Sequence, residues 1–316
     1  METPVETAPR RSRKPRTALN PRQKLRRDII EKCIEFTLFL AAASSVAITI
    51  GIVVTLFSEA IGFFKLVSVT EFLTTTDWSP QYEPPGYGVL SLVCGTLVTT
   101  LVALAVALPL GTVIAIYLSE FATPRMREWV KPTLELLSAV PTVVYGFFAL
   151  MLIAPVLKKF IPGISTQNML SAGIAMGIMI IPYVSSLSED AMRAVPMLLR
   201  EGSFALGGNR LSTAFRVVYP SALSGIAAAY ILGISRAIGE TMIVAVAGGL
   251  QPKFTLNPTE SALTMTAFIV GAMGGDHEHG SQVYYSVFAV GLLLFLCTFA
   301  FNCLGHYLRA RFREAY

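Results

Sequence analysis

The chain has 316 residues, of which 53% are hydrophobic and only 14% charged, with a mean hydropathy of +0.61 and a formal net charge of +5. So few charges cannot coat a soluble protein of this length, which excludes a water-soluble globular enzyme and leaves a polytopic membrane protein.

In chain order, residues 1–32 form a basic tail, "PRRSRKPRTALNPRQKLRR" at its centre, holding ten of the 25 lysines and arginines. It reads as a flank lying near anionic lipid in the cytoplasm, in preference to a nucleic-acid-binding arm. It is not a cleaved signal peptide, because the uncharged run 36–58 behind it exceeds a signal core of about 7 to 15 residues. Charged residues are absent between Glu35 and Glu59, Glu83 and Glu120, Lys159 and Glu189, and Glu278 and Arg309. A bilayer core needs about 20 apolar residues of helix, so each gap can span one. These gaps place helices near 34–58, 88–117, 168–187 and 283–306. Two further spans contain charge, one near 133–156 with Glu135 at its entry and one near 221–249 with Arg236 and Glu240 inside it. The domain plan is a tail (1–32), a first transmembrane helix (33–58), an external loop (59–87), a core (88–308) with a protruding loop at 188–220, and a short tail (309–316).

Smaller features follow the same order. Trp78, Tyr82 and Tyr87 in the first external loop suit an aromatic belt at the membrane interface. Pro141 and Pro182 are expected to kink the helices that contain them, and "GIAMG" at 173–177 allows close approach of two helices. Cys33, Cys94, Cys297 and Cys303 lie in or beside spans without a C-x-x-C pair and read as small apolar residues. "DHEH" at 276–279 is too short a cluster to argue for a metal site. Six spans leave both termini on one side. Twenty basic residues fall on that side, four (Lys65, Lys158, Lys159, Lys253) on the other, and Arg236 in the membrane, so the positive-inside rule makes the termini cytoplasmic.

The 188–220 loop is long for a connector, and it is periodic. Its first half is helical in pattern and stops at Gly207-Gly208, since glycine readily takes the left-handed conformation that ends a helix. Its second half restarts with Asn209 or Ser212 as cap and Ala214, Val217 and Val218 on one face. Its charges are of mixed sign, which favours a docking knob over a helix pair lying on lipid.

Here the sequence resembles the permease subunits of bacterial ABC importers, whose cytoplasmic signature is E-A-A-x3-G-x9-I-x-L-P. "EGSFALGGNRLSTAFRVVYP" supplies Glu201, Gly207, Val217 and Pro220, with Gly202 and Ser203 in place of the alanines and Tyr219 in place of leucine. "GTLVTT" (95–100), "VPTVVYGFFAL" (140–150), "IPYVSSLSEDAMRAVP" (181–196) and "GISRAIGETM" (233–242) are similar to segments of the phosphate-specific transport family, and of its two permeases to the PstC type more than the PstA type. The resemblance implies an all-α, six-helix, type I importer permease in a bacterial inner membrane. It also implies a PstA-like second permease, a PstB-like ATPase dimer seated on the 188–220 loop, and an external PstS-like phosphate-binding protein. ATP and magnesium would be used by the ATPase, with no cofactor held by this chain. The residues agree on one point, since no G-x-x-x-x-G-K-[ST] loop occurs in the sequence.

Arg236 and Glu240 stand near the bilayer centre of the fifth span, where each costs roughly 2.5 to 3.5 kcal/mol if exposed to lipid. On one continuous helix they share a face at i and i+4. One reading is a structural ion pair. The other is a pathway site, in which Arg236 attracts an oxyanion in transit, Glu240 orients Arg236, Thr241 lines the route, and Gly233, Ser235 and Gly239 leave room. A self-contained secondary transporter using Glu240 as proton carrier is the competing function, and it leaves the docking loop without a purpose. A sensor role beside transport is compatible with either.

Overall fold

The computed structural model describes residues 21–275, 278 and 280–311. The expectations placed on residues 1–20, on three of the four residues of "DHEH", and on 312–316 fall outside these. Contacts divide the chain after Thr55.

The described part of the first unit is helical throughout and belongs to α1, which runs Pro21–Phe64 and is longer at both ends than the expected span. Phe36, Leu38, Phe39, Ile48 and Ile52 are all exposed. A helix apolar on every side belongs in lipid or against another membrane chain.

In the second unit, the end of α1 is followed by α2 (Val69–Thr74), the two-residue strands β1 (Trp78–Ser79) and β2 (Gly86–Tyr87), and α3 (Leu90–Phe121), whose last five residues form a wider π turn. The loop before α3 is a packed cap and not an interfacial belt. Trp78 and Tyr87 are 2% and 4% exposed; the rings of Phe72, Tyr87 and Phe268 surround Trp78 edge to face, and Phe63 packs in turn on Phe72 and Tyr87, with centroids 4.9 to 6.3 Å apart. Burying large rings against one another is worth more than leaving them at an interface. Tyr82 alone of the three expected belt aromatics is exposed.

The expected span 133–156 divides in two. α4 (Pro124–Ala139), capped by Thr123, is amphipathic and has no buried residue, and the apolar crossing is α5 (Thr142–Phe160). Pro141 is therefore the N-cap of α5 and not a kink within a span. Proline has no N–H and disfavours helix at the residue before it, so it separates the two elements. Pro182 does lie inside a helix, α6 (Met169–Arg193), as does Pro109 in α3.

α3 and α6 are the central pair. A Cβ added at Gly173 or Gly177 would lie 2.6 Å or 2.7 Å from the Cβ of Val102 or Val106 on α3, so the G-x-x-x-G pair brings the two backbones together as expected. After α6 come α7 (Met197–Ala205) and α8 (Arg210–Ser221), then α9 (Leu223–Ile238) at 71° to α8. A short π-turned segment, Val244–Gly248, follows. The chain does not stay in an external loop after residue 249. Residues 250–264 are stitched back by backbone bonds, Met169 N to Glu260 O and Leu170 N to Pro258 O among them, and α10 (Met265–Met273) is buried against α3 and the last helix, α11 (Gln282–Arg311). At nine residues, about 14 Å, α10 is too short to cross a bilayer by itself. Among the described residues five helices are long and apolar enough to cross a membrane, and up to six when the bent α8–α9 pair is one span.

Candidate functional site

The fifth expected span is not one continuous helix. α9 ends at Ile238, Gly239 and Glu240 are non-helical, and the helix restarts two residues later. This break changes what the two charges can do. The Glu240 carboxylate turns onward and accepts the backbone N–H of Met242 (3.2 Å) and Ile243 (3.4 Å), capping the second half-helix. Its backbone carbonyl accepts the hydroxyl of Thr266 on α10 (2.8 Å), and the residue is 8% exposed. The expected shared face and ion pair with Arg236 are thus absent among the described residues, because the i, i+4 relation holds only on an unbroken helix. Glu240 does not orient Arg236 here.

Arg236, in the last turn of α9, lies 13 residues or about 20 Å along the helix from its start. Its guanidinium carbon sits 4.1 Å from the centroid of the Tyr183 ring, and Nη2 is 4.0 Å from the Met179 sulfur, both on α6. Nε is buried with no hydrogen-bond partner. Among the described residues, the charge is met by an aromatic face and a soft sulfur and by no carboxylate. Of the residues expected to leave room, Gly233 instead lets α9 pack on Val184 of α6, and Ser235 bonds Asn302 of α11 at 3.1 Å. Gly239 is exposed at the break, and the Thr241 hydroxyl donates to its carbonyl at 3.2 Å.

Sequence reasoning missed the threonines gathered beside the break. Thr96, Thr99 and Thr100 of α3, with Thr264 and Thr266 at the start of α10, line one small space with Glu240 and are all at most 4% exposed. Thr96 Oγ1 accepts the N–H of Met265 (3.1 Å), and the Thr100 hydroxyl is buried without a partner. The signals available were "TLVTT" and "LTMT". Neither says that its threonines face the other until α10 folds back.

At the other end of the bundle stands the knob. Gly207 takes φ +84°, the left-handed conformation expected of it. Asn209 caps α8 by accepting from Ser212 N at 2.8 Å, and Ala214 and Val218 are buried while Val217 is half-buried. Glu201, Gly207 and Pro220 are exposed, as are Leu198 (77%) and Leu206 (92%). Beneath the knob, Glu189, in the last turn of α6, has a fully buried side chain. Its carboxylate is ion-paired to Arg127 (2.6 Å) and Lys131 (2.9 Å) of α4 and to Arg193 (3.7 Å). Burial works against the charged form of Lys131, but hydrogen bonds to Asp190 and Glu189 outweigh it and hold the lysine above its ordinary pKa.

A helical bundle with apolar helices long enough to cross a membrane, a break in its fifth expected span, an arginine beside that break met by no carboxylate among the described residues, and a two-helix knob is the architecture of an integral-membrane permease. The chain belongs to the family described as the inner membrane component of binding-protein-dependent transport systems, which matches residues 107–314. It is 33% identical over 278 residues to the "Probable ABC transporter permease protein YqgH" of Bacillus subtilis, covering 87% of this chain and 90% of the relative. It is 32% identical to the phosphate transport system permease protein PstC of Xylella fastidiosa, covering 72% and 75%. A solved inward-facing MetNI methionine ABC transporter has a chain of similar fold, with TM-score 0.51, 17% identity, and 72% of this chain and 95% of that one covered. The protein is accordingly a multi-pass inner membrane protein, and the relatives it matches are named as transport permeases.

Proposed function

We propose that this chain is the PstC-type permease of an ATP-driven importer that carries inorganic phosphate into the cytoplasm. A PstA-like permease completes the pathway, a PstB-like ATPase dimer docks on the knob and uses ATP and magnesium, and a PstS-like protein delivers phosphate from outside. The chain itself binds no cofactor, and both its termini are cytoplasmic. The carrying observation is Arg236, a part-buried guanidinium beside the helix break that no carboxylate among the described residues neutralises. A buried cation without a fixed counter-ion is costly, and an anion in transit supplies the missing charge. Its planar fork matches two oxygens of a tetrahedral oxyanion and stays charged at any working pH. Tyr183 and Met179 hold the head from one side without offering a competing acceptor of full charge. Binding here stays weak enough for release, so Arg236 is a waypoint on the route. Glu240 and Thr241 shape that route by holding the helix break open.

The test is phosphate uptake by Arg236→Gln with insertion and ATPase stimulation measured in parallel. Uptake is expected to be lost while both of the others persist. Wild-type uptake by the variant would make the arginine structural, and uptake by the wild-type chain without any ATPase would turn the reading to a secondary transporter.

A further inference from the structure

The knob is expected to receive force, yet α7 is a nine-residue helix with no buried residue of its own. What ties it to the bundle is Arg200. Its side chain is 12% exposed and reaches back beneath the helix to acceptors on two other elements. Nη2 donates to Glu120 Oε1 at 3.0 Å and Nε to Oε2 at 3.4 Å, a two-pronged grip on the last turn of α3. Nη1 donates to the carbonyl of Val195 at 2.6 Å, and Nη2 also to that of Met192 at 2.8 Å, at the end of α6. The Glu120 side chain is 9% exposed and is further held by the Ser119 hydroxyl at 2.9 Å. The knob's two helices are joined to each other by Ser203 and Thr213, whose hydroxyls lie 2.8 Å apart.

Each acceptor has its own purpose. The Met192 and Val195 carbonyls sit at and just past the end of α6; the first also accepts the Val195 N–H at 3.2 Å, and Arg200 donates to both with one side chain. Glu120 is a carboxylate too buried to stand alone without a large desolvation cost. The arginine's rigid fork therefore joins the knob and the nearby end of α6 to the last turn of α3, which lies 80 residues away in the sequence. α6 is the element that matters downstream. The same helix carries Met192 at its end and, nine residues earlier, Tyr183, on whose ring Arg236 rests; at 1.5 Å per residue they are about 14 Å apart. A helix is stiff over that distance, and a packed bundle shifts between discrete arrangements and does not deform continuously.

We propose that Arg200 is a positioning residue that makes the docking knob and the ends of α3 and α6 move as one body. A displacement of the knob is thereby delivered to the helix that supports Arg236. This rests on the reading of the chain as an ATP-driven permease. Arg200 touches no substrate, and its part is to keep the ATP-driven motion of the knob from being lost in slack between knob and bundle.

The experiment is made on the whole complex, with second permease, ATPase and binding protein, reconstituted in vesicles, and it reads phosphate carried per ATP hydrolysed. Arg200→Gln leaves the hydroxyl and backbone contacts of the knob in place but removes the fork. The ratio is expected to fall about tenfold while ATP hydrolysis continues, a coupling loss of the usual size for two linked sites. Arg200→Lys, which keeps the charge and loses the fork, should recover part of it. Glu120→Gln, which keeps every backbone acceptor, should lower the ratio in the same direction and serves should Arg200→Gln fail to insert. A ratio equal to wild type in an assembled Arg200→Gln or Glu120→Gln complex would overturn the proposal, and so would uptake and hydrolysis falling together in proportion to the amount of complex. Failure of the wild-type complex itself to carry phosphate would count against the transport reading and is told apart by that control.

Discussion

Gly207 shows what a single backbone angle does in this molecule. Its φ of +84° is one that residues with a Cβ adopt at a cost of roughly 1 to 2 kcal/mol, and no atom lies within 4 Å of where that Cβ would be. The penalty for substitution is thus conformational and not steric. Gly207→Val should misdirect α8 and reduce co-purification of the ATPase, whereas Gly207→Asn, which tolerates the left-handed region, should retain most of it. Equal retention by the two variants, with uptake intact, would remove the docking turn from the account. Arg236 and Glu240 teach the opposite lesson at the same scale. Their identities and their place in the fifth expected span were legible in the sequence. Their relation was not, because "SRAIGET" reads equally as seven residues of one helix or as a C-terminal glycine followed by a capping glutamate. The choice falls to the break because Thr266 anchors the Glu240 carbonyl from a segment 26 residues away.

At the scale of elements, the α3–α6 contact decides where everything else can lie. Gly177 faces the Ala103 carbonyl oxygen, to which an added Cβ would come within 2.8 Å, and a backbone oxygen in a helix cannot rotate aside. Gly177→Val should therefore force the two helices apart, at about 1 to 3 kcal/mol by analogy with other overpacked cores. Gly271→Ala on α10, where nothing lies within 4 Å, is the control. Thermal unfolding in detergent should show a lower Tm for the first variant and none for the second, and unchanged unfolding of Gly177→Val would mean that the glycines do not set this interface. The elements misread from sequence share one cause. α4 was merged with α5 because both are helical, and hydropathy alone does not show that Pro141 lies at a boundary. α10 went unseen because nine mostly apolar residues fall short of a span, and a short buried helix is recognised by what it packs against.

For the whole molecule, twenty basic residues against four predict which ends face the cytoplasm. Single cysteines at Ser212 and Ser281, introduced one at a time, should be labelled by an impermeant reagent from the inside and the outside respectively. Labelling of both from one side would overturn the six-crossing arrangement. That arrangement was within reach of the sequence because the bilayer imposes a length and a polarity on every crossing, and both are local properties countable along the chain. The docking loop was legible for a similar reason, since its glycine stop and its spacing are local. What only the tertiary structure decided are the relations between distant segments: the aromatic cap around Trp78, the threonines gathered at Glu240, the Arg236 head resting on Tyr183, and the grip of Arg200 on Glu120. Each joins residues tens to more than a hundred positions apart, and the energy of such a contact depends on the geometry of packing, which no local pattern of hydropathy or charge encodes.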